Sequence, residues 1–305
     1  MESFRDYMDV REEVAQALSE GKPVVALEST IIAHSPPVEM AIARAKRSEA
    51  IVRENGCVPA TMAIIKGRIR VGLSEDEIEY MATSGARKCS RRDVAAMLGL
   101  KLDGATTVSG TMMFAALAGV PVFATGGIGG VHRGAQETFD ISADLQELAK
   151  TNVAVIASGC KSILDTALTL EYLETMGVPV LGYKTDKFPN FYARESGFGV
   201  DYRVDSEEDV AHILAARKAL GIQGGTLICN PIPEENALDY KVINTGIEEA
   251  VEIARKDGVT GSASTPYILA RLYEITKGES KKANMALVFN NVLVASKIAK
   301  ACARV

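Results

Sequence analysis

The strongest constraint on the fold of this chain is a repeated succession of helix, glycine and short apolar strand. Gly119-Val120-Pro121-Val122 and Gly177-Val178-Pro179-Val180 each follow a helix-like segment and lead into an apolar run. The first run ends at Thr125 and the second near Tyr183. Glycine is typical just after a helix end, and a following proline prevents the helix from continuing. Strands that alternate with helices predict an α/β fold with a layered α/β/α arrangement and a largely parallel or mixed central sheet.

Local patterns predict further elements of the same kind. The predicted elements are a strand over Val24–Leu27, a helix over Glu39–Asn55, a hairpin of Ala60–Ile65 and Arg68–Val71, and C-terminal helices near 244–256, 265–276 and 284–301. Ser74 and Glu77 have the spacing of a capping box, and Ser264-Thr265-Pro266 is typical of a helix N-terminus. No linker or low-complexity tract interrupts the chain, so we expect one domain over residues 1–305, with residues 190–235 as a looser excursion.

Composition excludes some classes of protein. The formal net charge is −5, which argues against a protein that binds a nucleic acid polymer. No run approaches 18 consecutive apolar residues, so no membrane span is predicted. The first 13 residues are charged and lack the apolar region of a signal peptide, and the five cysteines form no CxxC pair. Together these features favour a cytoplasmic protein with reduced thiols.

Lys161 is the first candidate for a reactive residue. The apolar run Val153–Ala157 predicts a buried strand, Ser158–Cys160 a turn, and Lys161–Asp165 the beginning of a helix. A lysine after the carboxyl end of such a strand lies where α/β folds bind ligands. An amine among apolar neighbours loses solvation, which favours its neutral, nucleophilic form. Cys160 is the alternative nucleophile, although cysteine is often only a small buried hydrophobe.

The glycine-rich stretch at residues 126–134 is a second candidate. Its spacing does not match a dinucleotide-binding GxGxxG, because His132 stands where the third glycine should be. No Walker A loop is present either, because Lys161 lacks a directly preceding glycine. The stretch is therefore either a set of tight turns or a loop whose N–H groups contact an anion, with His132 and Arg133 adding charge.

Carboxylates lie close to this stretch and at the end of the first strand. Asp140 and Asp144 would share a face if both were helical, and they suit a hard divalent ion or, alternatively, the N-terminus of a helix. Glu28 would be a general acid if its surroundings are apolar, and otherwise a capping or exposed residue. Lys88, in the basic run 87–92, suits a phosphate or else a solvated loop.

These motifs together resemble the pseudouridine-5'-phosphate glycosidases, a family shared with proteins encoded in indigoidine synthesis clusters. The resemblance extends from about residue 20 to the end of the chain. The segments that carry it are Leu27–His34, Asn55–Leu73, Ala105–Val108, Thr125–Leu148, Lys161–Asp165, Asn230–Pro233 and Ser264–Pro266.

The resemblance implies an enzyme that reversibly cleaves the C–C glycosidic bond of pseudouridine 5'-phosphate, giving uracil and ribose 5-phosphate. It implies that Lys161 attacks C1' of the ribose and forms a ring-opened, imine-type adduct, and that Glu28 exchanges a proton with uracil. It further implies one Mn²⁺ per subunit with Asp140 as ligand, other divalent ions being possible, and a homotrimer. The implied substrate contacts are Lys88, Val108, Ser142, Ala143 and Asp144, with Asn284 and His132 as further site residues.

Two other functions remain open on the sequence. A Schiff-base aldolase or lyase would use the same lysine on a phosphosugar without releasing uracil. A non-catalytic phosphosugar-binding protein, or an accessory factor of a pigment pathway, would bind tightly without turnover. Intact Glu28, Asp140 and Lys161 favour the glycosidase.

Overall fold

The computed structural model describes residues 3–259 and 264–305, and a mostly parallel sheet runs through its core. The strands are β1 (Met8–Val10), β2 (Val24–Leu27), β3 (Val58–Ile65), β4 (Arg68–Val71), β5 (Arg87–Cys89), β6 (Gly104–Thr106), β7 (Val122–Ala124), β8 (Val131–His132), β9 (Ala154–Ala157), β10 (Leu164–Asp165), β11 (Val180–Tyr183), β12 (Tyr202–Val204) and β13 (Thr226–Cys229).

Helices pack around this sheet. They are α1 (Glu12–Ser19), α2 (Thr30–Ala33), α3 (Val38–Glu54), α4 (Glu75–Thr83), α5 (Val94–Gly99), α6 (Val108–Ala118), α7 (Ala135–Thr138), α8 (Ala143–Lys150), α9 (Thr166–Thr175), α10 (Glu207–Ala219), α11 (Tyr240–Lys256), α12 (Ser264–Ile275) and α13 (Glu279–Cys302). Short 3-10 helices span Phe4–Tyr7, Arg91–Asp93 and Glu234–Asn236.

The sheet order confirms the predicted mixed, largely parallel architecture. The main path runs β1-β4-β3-β2-β7-β9-β13-β11-β12, and β6 joins β5 to β3. β3 is antiparallel to β4 and to β6, and the other neighbours in this sheet are parallel. Every residue of β2, β7, β9 and β13 is buried, as expected for strands with both faces covered.

The elements predicted from local patterns are confirmed to within a few residues. The helix α3, the hairpin of β3 and β4, and the capping box of Ser74 and Glu77 all form. Gly119 ends α6 with a left-handed φ of 83°, and β7 follows it. Helix α12 begins at Ser264, but the side chains of residues 264–266 lie outside the described part, so their capping role stays a prediction.

Two predictions of local structure were wrong. Residues 190–235 are not a loose excursion, because β13 pairs with β9 on one side and β11 on the other, inside the sheet. Residues 161–165 do not begin a helix. Instead β10 pairs with β8, and α9 begins only at Thr166, where the Asp165 carboxylate accepts the N–H of Leu168 at 3.0 Å.

Helix α13 is the one helix in the described residues long and apolar enough to cross a membrane by length and composition. The structure shows it as a core helix, because 56% of its apolar window is buried inside the protein. It packs on α3 and α10 and against strands β2, β7 and β9. A helix that is buried on several sides has apolar residues all around it, so its composition resembles that of a membrane-spanning helix.

Candidate functional site

A cavity of about 140 Å³ lies where strand ends and helix N-termini converge on the sheet. Its lining is formed by Glu28, Thr30, Lys88, Ser90, Thr107, Val108, Gly129, His132, Ser142, Asp144, Lys161 and Leu164. A larger groove, of about 220 Å³, is lined beside Val180 by Glu171, Glu174 and Asp201 but by no cationic side chain. Acids, amines and helix termini meet only in the smaller of these two cavities, so it is the candidate active site.

Glu28 supplies a buried carboxyl group to this cavity. It follows β2 directly, is 7% exposed, and its Oε1 accepts a hydrogen bond from Thr125 Oγ1. Burial raises the pKa of Glu28, while nearby Lys161, the Thr125 hydrogen bond and Arg44 oppose that rise. Because desolvation is the largest of these influences, the arrangement favours the neutral acid, which can donate a proton.

Two amines face the same space. The Lys161 backbone N–H donates to the Ile128 carbonyl at 3.1 Å, so the glycine loop holds the lysine beside the cavity. Lys88 comes from β5, and its own burial together with the charge of Lys161 lowers the pKa of Lys88. By contrast Cys160 is fully buried, burial raises its pKa to about 11, and it does not line the cavity. At neutral pH that thiol stays protonated, which disfavours the alternative nucleophile.

The N-termini of two helices, α6 and α8, lie at the cavity. Thr107 caps α6 and accepts the N–H of Gly110 at 3.3 Å, and Ser142 caps α8 and accepts the N–H of Asp144 at 3.2 Å. Both capping residues line the cavity. Backbone N–H groups at a helix N-terminus and the helix dipole favour an anion, so the two helix ends beside Lys88 and Lys161 suit an anionic ligand.

Asp144 holds two walls of the cavity together. Its side chain is buried, Oδ1 accepts the N–H of Ser109 at 2.9 Å, and Oδ2 accepts the N–H of Gly129 at 2.8 Å. It thereby links the first turn of α6 to the glycine loop. A Cβ at Gly129 would lie 2.2 Å from Ser142 Oγ, so only glycine fits at this close approach.

Asp140 and His132 place a carboxylate and an imidazole beside the cavity, where they could contact a metal ion. His132 Nδ1 lies 3.8 Å from Asp140 Oδ2, and the Asp140 side chain is 39% exposed. Burial lowers the pKa of His132 and the Asp140 charge opposes this. Within 3–259 and 264–305, no group of three His, Cys, Asp or Glu side chains could hold a metal. This donor set fits an ion that keeps most of its water ligands, such as Mg²⁺ or Mn²⁺, and not one enclosed by protein.

Residues 13–301 match the family described as indigoidine synthase A like protein. The chain belongs to this family.

Curated relatives of the chain carry the name pseudouridine-5'-phosphate glycosidase. A relative from Brachyspira hyodysenteriae is 58% identical, covering 98% of this chain and 97% of its own length. One from Clostridium botulinum is 56% identical and covers 96% of each chain. The prediction of an enzyme is thereby confirmed, as is the resemblance on which it rested.

Solved structures with the same fold are also similar to this chain. The prealnumycin C-glycosynthase AlnA in complex with ribulose 5-phosphate superposes with a TM-score of 0.91 at 41% identity, over 97% of each chain. An indigoidine synthase A-like protein from Thermotoga maritima gives a TM-score of 0.87 at 37% identity, covering 96% of this chain and 95% of that one. The family thus contains proteins named for breaking and for forming C-glycosidic bonds.

The cavity brings together most of the site residues predicted from the sequence, but not all of them. Those that line it are Glu28, Lys88, Val108, His132, Ser142, Asp144 and Lys161. Ala143 is exposed at the first position of α8, and Asp140 contacts the cavity residue His132. Asn284 hydrogen-bonds the buried Tyr192 hydroxyl instead of lining the cavity. Asp140 precedes α8 whereas Asp144 lies inside it, so they do not share a helix face.

Several cavity residues were not singled out from the sequence. Thr30, Ser90, Thr107 and Leu164 line the cavity. The signal of the first three was only the position of small polar residues next to strand and helix ends, and Leu164 is an apolar residue of β10. The basic run 87–92 does not act as one patch, because Arg91 pairs with buried Glu147 while Lys88 faces the cavity.

Proposed function

We propose that this enzyme reversibly cleaves the C-glycosidic bond of pseudouridine 5'-phosphate, giving uracil and ribose 5-phosphate, in the breakdown of pseudouridine. The observation that carries the proposal is one cavity in which buried Glu28 faces Lys161 beside the positive ends of α6 and α8. The names and high identity of the curated relatives support the same substrate.

The anion site suits the 5'-phosphate of the substrate. Lys88 supplies charge, Val108 stands at the first position of α6, and Ser142, Ala143 and Asp144 form the beginning of α8. In this arrangement backbone N–H groups bind phosphate oxygens, and the Asp144 carboxylate turns toward protein N–H groups and away from the anion. His132, which lines the cavity, is proposed as a further substrate contact.

The chemistry begins at Lys161. The Nζ lone pair forms a bond to C1' of the ribose as the C1'–O4' bond breaks, and the proton that Nζ then loses passes to O4', giving an open-chain secondary amine. Glu28 then protonates C5 of uracil. The nitrogen lone pair forms C=N as the C1'–C5 bond breaks, and that bond's electron pair restores the C5=C6 double bond. Water hydrolyses the imine, which releases ribose 5-phosphate and Lys161.

This route explains why the nucleophile is an amine. Glycosidases with two carboxylates protonate a leaving oxygen, and a C–C glycosidic bond offers none. An imine nitrogen instead accepts the positive charge as the carbon–carbon bond breaks. Glu28, held as a neutral acid by burial, is matched to protonation of carbon C5.

A divalent cation, Mn²⁺ in this proposal, would be held by the Asp140 carboxylate together with water, one ion per subunit. When bound it would add positive charge beside the anion site and orient water. Asp140 is exposed enough to accept such a hydrated ion, and His132 links it to the cavity lining.

We further propose that the enzyme is a cytoplasmic homotrimer. Large apolar side chains on the surface support subunit contacts: Phe139 is 82% exposed and Val242 60% exposed. Light scattering of the purified protein tests the assembly, and a monomer at micromolar concentration would contradict it.

A second candidate function is C-glycosynthesis on an acceptor other than uracil. The close superposition on prealnumycin C-glycosynthase favours it, although the identity of 41% is below that to the glycosidases. It predicts bond formation from ribose 5-phosphate and an aromatic acceptor, with no uracil released from pseudouridine 5'-phosphate.

The decisive experiment is ultraviolet detection of uracil from pseudouridine 5'-phosphate with Mn²⁺. Lys161→Ala should lower the rate at least about 1000-fold, as expected when a nucleophile is removed. Lys150→Ala, at the exposed end of α8, is the matched control and should retain wild-type activity. Borohydride should trap the sugar on Lys161 of the wild type. Uracil release without a trapped adduct would refute the covalent route, and no release at all would refute the proposed substrate.

A further inference from the structure

We propose that Arg44, on α3, is a positioning residue that acts through Glu28, holding its carboxyl group in a state ready to exchange a proton with the substrate. This inference rests on the proposed role of Glu28. Arg44 does not line the cavity and therefore does not touch the substrate.

The backbone ties Arg44 to the segment that carries Glu28. Arg44 is 9% exposed, and its Nη2 donates a hydrogen bond to the carbonyl of Ile31 in α2. Helix α2 begins at Thr30, two residues after Glu28, and it packs on α3. The guanidinium thus hydrogen-bonds to α2, the short helix that follows Glu28 in the chain, and so restrains the backbone next to Glu28.

The charge of Arg44 has little other compensation. In the part of the chain that the structure describes, Arg44 forms no salt bridge within 4.0 Å, and its buried Nε has no hydrogen-bond partner. Burying an unpaired cation is costly, so a nearby carboxyl group that carries negative charge is stabilised by it. Glu28 is the acid whose charge acts on Arg44.

The two lysines that face Glu28 change their partners during the proposed reaction, unlike the other groups around it. Lys161 from the loop after β9, Lys88 from β5 and Asp144 from α8 all line the cavity, and Thr125 after β7 donates the hydrogen bond. Lys161 becomes part of the covalent adduct, and Lys88 pairs with the incoming phosphate. Arg44 alone among these cations stays outside the cavity, so its field on Glu28 remains constant through the cycle.

The direction in which the Glu28 pKa shifts when Arg44 is replaced follows from the charge that is lost. Burial raises the pKa of Glu28 and Arg44 lowers it, so removal of the Arg44 charge raises the pKa further. In the cleavage direction Glu28 must be protonated, and activity falls as pH rises through its pKa. The alkaline limb of the kcat/KM profile should therefore move to higher pH.

The test compares Arg44→Gln and Arg44→Met, which remove the charge, with Arg44→Lys, which keeps it. Gln keeps an N–H donor whereas Met has none, so comparing the two separates the charge from hydrogen-bonding capacity. Circular dichroism shows which variants fold. Either neutral variant that folds should have the alkaline limb of its kcat/KM profile at higher pH, and Arg44→Lys should keep most of the wild-type profile. Arg217→Met is the matched control, because Arg217 also donates to backbone carbonyls, at 3.1 Å for Gly224, but is not among the charged groups that act on Glu28.

The outcomes separate this inference from the proposed function. A neutral variant with reduced kcat and an unmoved limb would assign Arg44 a purely structural role and overturn the inference, while leaving the glycosidase in place. Titration of ¹³C-labelled glutamate, with Glu28→Gln to assign the signal, reports the same shift without turnover. If the wild type releases no uracil, the glycosidase fails, and this titration still confirms or refutes the coupling of Arg44 to Glu28.

Discussion

The substitution Asp144→Asn separates a residue that holds the site together from one that binds substrate. Asn has nearly the shape of Asp, but one of the two oxygens becomes an NH₂ group. The N–H groups of Ser109 and Gly129, now 2.9 and 2.8 Å from the two carboxylate oxygens, cannot both be satisfied. One wall of the cavity must move away, either the first turn of α6 or the glycine loop.

The expected losses of stability and activity in Asp144→Asn follow from these two hydrogen bonds. Losing a hydrogen bond to a charged group and leaving one buried N–H unpaired lowers the free energy of unfolding by about 3 kcal/mol. For 305 residues, an unfolding entropy of about 0.6 kcal/mol/K converts this loss to a decrease in Tm of about 5 °C. Because displacement by about 1 Å misplaces the phosphate and C1', kcat/KM should fall about 100-fold.

Calorimetry and uracil-release kinetics on the same preparations measure both effects. Asp201→Asn is the control, since its Oδ2 accepts a single N–H, that of Val180 at 2.8 Å, and it lies in the other groove. It should leave kcat/KM unchanged. A higher KM for Asp144→Asn with an unchanged Tm would refute the reasoning, because it would mean that the carboxylate contacts substrate and does not brace the walls.

Two further predictions follow from the site. Cys160→Ala should keep at least about half of the wild-type activity, because burial raises the thiol pKa to about 11 and no thiolate forms at neutral pH; a loss comparable to that of Lys161→Ala would make Cys160 the nucleophile. Asp140→Asn should weaken Mn²⁺ binding at least about 10-fold in a titration followed by electron paramagnetic resonance, with Asp165→Asn, a helix cap outside the cavity, as control. Equal Mn²⁺ affinity of the two variants would place the ion elsewhere.

Predictions that depended on neighbours along the chain agreed with the structure. The strand before Glu28 and the hairpin at Lys66-Gly67 needed only apolar runs, turn residues and caps to be recognised. Prediction failed where a short segment had no decisive local signal. Lys161–Asp165 is too short to show a helical period, and its conformation is decided by the pairing of β10 with β8. The strand β13 was missed as a sheet member because a run of four residues, three of them apolar, does not reveal its partners.

The sequence by itself determined the α/β class and the positions of most helices and strands, because these depend on residue type and on local spacing, and its family resemblance indicated the candidate site side chains. Only the tertiary structure decided which of these side chains meet. Glu28, Lys88 and Lys161 come from distant segments, and parallel strands that end at one edge bring two of them together with the N-termini of α6 and α8. The roles of Arg44 and Asp144 could likewise be recognised only in the tertiary structure, because they depend on the backbone groups and charges that lie beside these side chains after folding.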